Sequence, residues 1–178
     1  GAKYLQDTYG ARVVMSAADW DHIRTSKQLG PEAPLPKRDI VASDGDEITL
    51  GDTTVRLVLT PGHTPGTLSF IFPVRDGAAV HRVGYWGGGT VSFLKEDEID
   101  TYVNSVQRFR DMDTTIDVEM TNHPFFDGML PKLELLAARA PGGPHPAVTG
   151  NAAFRRWMDV FADCARKTAA AKRAAPGA

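Results

Sequence analysis

The segment Thr60-Pro61-Gly62-His63-Thr64-Pro65-Gly66 holds one imidazole between two Pro-Gly corners. It follows an alternating run, 54–59, and precedes an apolar run, 68–74, so His63 stands where one strand ends and the next begins. Two close turns fix the backbone on both sides of the ring, and a fixed backbone is what a metal ligand or a catalytic imidazole requires. The competing reading is a plain loop histidine packed between strands. A single ligand does not make a site, so the question is where His63 finds partners.

The chain contains five histidines. His123 lies in Thr121-Asn122-His123-Pro124-Phe125-Phe126-Asp127-Gly128, where a strand ends, and the proline after it restricts it to extended geometry. Loops at strand ends are common functional positions, which makes His123 the second candidate ligand. Asp127 could support a ring nitrogen, but an Asp-Gly turn former is the preferred reading. His22 sits in a polar helix beside Asp19 and Asp21, His81 in a strand next to Arg82, and His145 in a Pro-Gly loop. None of these three carries a specific signal.

Two histidines from separate loops do not complete a zinc site, which takes about four ligands. The sequence offers no His-x-His pair, and its one cysteine, Cys164, excludes a thiolate cluster and an intrachain disulfide. Ser69, Ser92 and Thr64 are hydroxyl nucleophiles in principle, yet none sits in a Gly-x-Ser-x-Gly elbow. Gly87-Gly88-Gly89 lacks the Gly-Lys-Ser/Thr that completes a phosphate loop.

The elements that must position these loops follow from the pattern of apolar residues. A short helix is expected over 2–9, stopped by Gly10, then a strand over 11–15 and a helix capped by Ser16 and running to about Lys27. Strands are expected over 39–43, 47–50, 53–59, 68–73 and 78–85, separated by Asp44-Gly45-Asp46, Gly51-Asp52 and Arg75-Asp76-Gly77 turns. This run of hairpins predicts a mostly antiparallel or mixed sheet. Ile99, Tyr102, Val103 and Val106 mark a helix over 97–110, followed by a strand over 115–120 and a helix over 129–138. The last helix spans 151 to about 167, with Phe154, Trp157, Met158, Phe161 and Ala165 toward the core. Residues 167–178, alanine-rich and basic, are expected to fray into a flexible tail. Strands first and then strands alternating with helices make an α/β or α+β layered domain.

The chain's 178 residues fit one domain. Its 20 basic and 22 acidic residues leave a net charge of -2, which favours neither nucleic acid nor an anionic membrane. Its apolar runs fall far short of the about 18 residues of a spanning helix. Residue 1 is glycine, with no signal-like stretch after it, and the compartment stays open.

The Asp44-Gly45-Asp46 and Leu50-Gly51-Asp52 turns, the strand to Thr60 and the motif around His63 resemble the middle of a metallo-β-lactamase-fold hydrolase. Thr121-Asn122-His123-Pro124 falls where that superfamily places its last metal-binding histidine. The resemblance runs to about residue 165. It implies a four-layer αββα sandwich with two zinc ions at one edge of the sheets. Residues 1–166 would then be the C-terminal portion of such a domain. Gly1-Ala2-Lys3-Tyr4-Leu5 resembles the residues just past the family's His-x-His-x-Asp-His loop, which places four of the usual ligands upstream of this chain.

By the same resemblance, His63 corresponds to the third histidine of the first zinc site and His123 to the histidine of the second. Val83-Gly84-Tyr85-Trp86-Gly87-Gly88 carries none of the acidic, cysteine or serine residues that many relatives place there. That departure points away from a glyoxalase-II-like or nuclease-like site and toward the β-lactamase subclass that draws no ligand from this strand. Tyr85 and Trp86 would line the substrate cleft, with packing against the sheet as the equal alternative. The implied activity is zinc-dependent hydrolysis, by metal-bound hydroxide, of a small ester, lactone or amide, a β-lactam among them. The alternative is a non-catalytic domain of the same fold that binds a ligand or protein, and an unrelated α/β domain would keep the two histidines apart. Half a sandwich leaves apolar sheet surface uncovered, so the missing N-terminal half or a second copy is expected to cover it.

Overall fold

The computed structural model of the chain describes residues 1–26, 29–30, 32–91, 94 and 96–174. Lys27 and Ser92, which figure in the expectations above, lie outside the described residues. The chain opens with α1 (Ala2–Tyr9), closed by Gly10, then β1 (Val14–Ser16) and α2 (Ala17–Thr25). Ser16 caps α2 by accepting the Asp19 amide at 3.1 Å. β2 (Ile40–Ala42) pairs with β1 in parallel, and Trp20 of α2 is fully buried with its indole N–H on the Ile40 carbonyl at 2.8 Å.

The second sheet contains β3 (Glu47–Leu50), β4 (Thr53–Leu59), β5 (Leu68–Asp76), β6 (Ala79–Trp86) and β7 (Val118–Thr121), in that spatial order. The first four are antiparallel neighbours and β7 lies parallel to β6, so the sheet is mixed, as the hairpin pattern predicts. The β5–β6 hairpin is longer than expected. Pairing continues to Asp76 opposite Ala79, so the turn falls at Gly77-Ala78 and not at Arg75-Asp76-Gly77.

One face of this sheet is covered by α3 (Glu96–Met112) and α5 (Asn151–Ala174), which pack against each other. Their stripes, Ile99, Tyr102, Val106 and Phe109 on one and Phe154, Met158, Phe161 and Ala165 on the other, enclose Val58, Ile71 and Trp86 in a single apolar core. Burial on this scale, at about 25 cal/mol per Å² of apolar surface, is the main driving force for the fold. The other face carries Phe72, Val83, Tyr85, Val118 and Met120 under Ala147 and Val148, with Phe72, Tyr85 and Met120 only partly covered. α4 (Met129–Ala137) buries no residue and is tied in by Lys132, whose ammonium meets the buried Glu119 carboxylate at 2.7 Å.

The expected flexible tail is corrected over 167–174. α5 continues through this stretch, Ala169 is buried, and Lys172 donates to the Leu94 carbonyl. The alanines of this stretch are good helix formers, and the small Ala169 fits against the core. Residues 175–178 lie outside the described residues.

Candidate active site edge

β4 and β6 both run antiparallel to β5, and β7 runs parallel to β6. The C-terminal ends of β4, β6 and β7 therefore lie along one edge of the sheet. Ligand sites in α/β sheets favour such an edge. The His63 loop leaves β4 there, Gly87-Gly88-Gly89 leaves β6, and the His123 loop leaves β7.

The His63 loop is closed by hydrogen bonds at its base and within itself. The Thr60 amide donates to the Thr67 carbonyl at 2.8 Å, and the Gly62 amide donates to the Thr64 carbonyl at 3.0 Å. The Thr64 amide donates to the Thr67 hydroxyl at 2.8 Å, and the buried hydroxyls of Thr60 and Ser69 meet at 2.8 Å. Both glycines of the Pro-Gly corners are required by close approach. A Cβ on Gly62 would stand 2.6 Å from the Tyr102 Cα, at a φ of +135° that disfavours side chains. A Cβ on Gly66 would stand 1.8 Å from the Ser16 Oγ. From outside, the Ser105 hydroxyl on α3 holds the Pro61 carbonyl at 2.7 Å, and Arg108 holds the Leu59 carbonyl at 2.8 Å.

The His63 imidazole sits at the tip of this frame with Nδ1 2.9 Å from the Thr90 carbonyl oxygen. A carbonyl only accepts, so Nδ1 carries the proton and the lone pair of the neutral ring lies on Nε2. Metal-binding histidines are oriented in the same way by a carbonyl or carboxylate on the far nitrogen.

The His123 loop is held differently. The buried Asp127 carboxylate accepts the Thr121 amide at 3.0 Å and the Met129 amide at 2.9 Å, drawing the two ends of the loop together. Asp127 therefore closes the turn, the preferred reading of the sequence. The His123 ring stacks on Phe125 at a centroid distance of 5.4 Å and meets Phe126 edge-on at 5.8 Å. Trp157 on α5 anchors the loop through its indole N–H on the Phe126 carbonyl at 2.8 Å.

Two consecutive glycines lie against the two histidines. A Cβ on Gly88 would be 3.1 Å from the His63 Cβ, and one on Gly89 would be 3.4 Å from the His123 Cδ2. Consecutive Cα atoms are about 3.8 Å apart, so the two histidine side chains lie against one dipeptide just beyond β6.

A cavity of about 310 Å³ opens beside His63, walled by Asp19, Thr64, Phe70, Tyr85 and Asn122. Burial, and then the negative charge of Asp127, push the Tyr85 phenol above its ordinary pKa. Trp86, expected in the same cleft, is corrected. Successive strand residues face opposite sides, and Trp86 is fully buried in the helix-side core against Tyr102, Phe109 and Phe161. Its indole N–H is used on the Gly88 carbonyl at 2.7 Å.

The remaining histidines lie elsewhere. His22 is on α2, His81 pairs with Asp117 at 2.7 Å on β6, and His145 lines a cavity of about 750 Å³ at the other end of the sheet. Among the described residues, no three His, Cys, Asp or Glu side chains form a group able to hold a metal ion. His63 suits a metal by its tautomer, and His123 suits one by its donor type. Together they offer two donors, fewer than the about four that a zinc site takes.

Two long-range contacts have no sign in the sequence: the Thr90 carbonyl on His63 Nδ1, and the Asp19 carboxylate, which accepts the Thr64 hydroxyl and the Gly66 amide. Asp19 reads locally as a first-turn helix acid, and no local signal gives its reach to residues 64 and 66.

No family model matches the chain. The chain is 36% identical over 72 residues to a hydroxyacylglutathione hydrolase of Acidiphilium cryptum, a match covering 40% of this chain and 25% of the relative. It thus spans about a quarter of that relative's length. Solved structures match far more of it. A metallo-β-lactamase with a HARLDQ motif from Cronobacter sakazakii superposes with a TM-score of 0.79 at 25% identity, covering 99% of this chain and 66% of the other. A subclass B3 metallo-β-lactamase of Bradyrhizobium japonicum superposes with a TM-score of 0.78 at 23% identity, covering 98% and 69%. The chain thus has the metallo-β-lactamase fold over nearly its whole length and shares part of its sequence with a hydroxyacylglutathione hydrolase.

Proposed function

We propose that the chain forms part of a zinc-dependent hydrolase and presents His63 and His123 to the metal centre from the C-terminal edge of its sheet. The observation that carries this reading is the His63 Nδ1 contact with the Thr90 carbonyl at that edge, which places the ring's lone pair on Nε2. Bound zinc would supply Lewis acidity for cleaving an acyl bond. The chain's own residues orient and enclose. Thr90 holds the His63 tautomer, Phe125 and Phe126 hold the His123 ring, and Phe70 and Tyr85 form an aromatic wall at a centroid distance of 5.5 Å. Tyr85, its pKa raised further by burial, stays a neutral phenol able to donate to a substrate oxygen.

The substrate is a small ester, lactone or amide. The relatives frame two versions, the acyl-glutathione thioester named for the hydroxyacylglutathione hydrolase and the β-lactam named for the structural neighbours. The absence of Asp, Cys and Ser from 83–88 favours the β-lactam version. The remaining zinc ligands would come from further polypeptide on the N-terminal side, and the cover for Phe72, Tyr85 and Met120 from that polypeptide or from a second copy of the chain. A second reading, a ligand- or protein-binding domain without catalysis, draws on the lack of a three-donor metal group among the described residues.

The test is hydrolysis of a chromogenic β-lactam, an aliphatic lactone and an acyl-glutathione thioester by the full-length protein. The hydrolase reading predicts chelator-sensitive turnover of at least one, lowered about 100-fold or more by His63→Ala, and no turnover by residues 1–178 alone. Turnover that survives both the chelator and His63→Ala would sink it. No turnover of any of the three substrates by a protein that does bind zinc would favour the binding-domain reading.

A further inference from the structure

The His63 loop is also held from the opposite side of the cavity by α2. The Asp19 carboxylate accepts the Thr64 hydroxyl at 2.7 Å on Oδ2 and the Gly66 amide at 2.8 Å on Oδ1. These donors follow His63 at the next position and the third one on, 45 and 47 positions from Asp19 in the sequence. We propose that Asp19 is a positioning residue for His63. By fixing the loop at Thr64 and Gly66, it sets the imidazole in its Nδ1–H contact with Thr90.

Three observations carry the argument. The approach is built into the backbone, because a Cβ on Gly66 would fall 2.8 Å from the Asp19 amide nitrogen as well as against Ser16. Asp19 also borders the cavity beside His63, so the clamp belongs to the same space as the ring. Finally, the carboxylate dictates proton order. An ionised carboxylate only accepts, so the Thr64 hydroxyl must donate to it. The Thr67 hydroxyl, 2.6 Å from the Thr64 hydroxyl, then acts as donor toward Thr64 while its oxygen accepts the Thr64 amide. One charge thus orders the hydroxyls on the C-terminal side of His63. An amide at position 19 would keep the Gly66 contact but reverse the hydroxyl chain.

The proposal rests on the hydrolase reading only for what the imidazole serves, and its test separates the two. NMR of the ¹⁵N-labelled 178-residue chain would compare the parent with Asp19→Ala, Asp19→Asn and Thr64→Val. In the parent, His63 should show a single Nδ1–H tautomer. In Asp19→Ala, Gly66 amide exchange should rise about tenfold or more and the His63 ring shifts should move toward a tautomer average. Asp19→Asn should keep most of the parent tautomer, and Thr64→Val should reproduce part of the Ala effect without touching α2. Faster Gly66 exchange with His63 shifts unchanged would overturn the proposal, because the carboxylate would then only staple α2 to the loop. Should Asp19→Ala unfold α2, Thr64→Val decides on the same signals, and an unchanged His63 overturns the proposal.

Zinc added to each sample supplies the second arm. About tenfold weaker binding is expected in Asp19→Ala. A parent His63 that ignores zinc, with variants that still lose the tautomer, removes the metal reading and leaves the positioning role standing. An Asp19→Ala variant that binds zinc as tightly as a responsive parent removes the positioning role.

Discussion

The two histidine loops leave the same edge of one sheet and hold their rings by different physics. His63 is fixed through directional bonds. Its Nδ1 proton points at Thr90, and Asp19, Thr67, Ser105 and two tightly packed glycines fix its backbone. His123 is fixed mainly by shape, between Phe125 and Phe126, on a loop whose ends Asp127 ties together. Hydrogen bonds select a tautomer and an angle, whereas aromatic contacts select a plane and tolerate rotation within it. His63 is therefore the pre-oriented member of the pair.

The comparison breaks most visibly at the glycines. Gly62→Ala combines a positive φ with overlap on Tyr102, and should cost about 2–4 kcal/mol in urea unfolding. Gly128→Ala, at the end of the His123 loop, has a φ of +65° but open space around it, and should cost only about 1–2 kcal/mol. Equal costs would mean that the two loops are packed alike. Asp127→Ala comes next, stranding the Thr121 and Met129 amides, with an expected loss of about 2–3 kcal/mol and broadened His123 signals while those of His63 stay sharp. Thr60→Val removes the buried contact with the Ser69 hydroxyl at the base of the His63 loop, and should cost about 1 kcal/mol by the same measurement.

The smallest expected effect is on acid stability, away from both loops. Hydrogen bonds from Arg12, Arg139 and Arg110 hold Asp39, Asp76 and Asp111 below the usual carboxylate pKa. A carboxyl whose folded pKa is depressed stabilises the fold above its unfolded value, near 3.8. That stability is lost as pH falls through the folded value. The three pairs lie at the surface, so the loss below about pH 4 should be slight and weaken further in salt. A rise in stability on acidification would contradict the assignment.

Much of this molecule is legible in its sequence where local chemistry decides the outcome. The Ser16 cap, the Gly10 stop, the hairpin strands 47–50 and 53–59 and the stripes of α3 and α5 follow from spacing and turn residues. The Pro-Gly clamp and the strand end with its proline mark His63 and His123 as candidates, and the structure sets both loops at one edge of the sheet. What escapes is decided by long-range contact. Residues 167–174 read as tail, since an alanine-rich basic stretch shows no sign of the core that Ala169 meets. Trp86 and Tyr85 are neighbours in sequence, and only the pairing of β6 between β5 and β7 tells which faces the helices. Asp19 looks like an ordinary helix-start acid until Gly66 is seen against it.

The central claim is that His63 and His123 serve one metal-binding space across the Gly88-Gly89 dipeptide. Zinc titration of the ¹⁵N-labelled chain, followed through its five histidine rings, tests it most directly. The account predicts that the His63 and His123 ring nitrogens shift together in one saturable event, with His63 keeping its Nδ1 proton, while His22, His81 and His145 stay in place. Shifts at His63 and His123 with separate midpoints, or shifts confined to the other three rings, would contradict it.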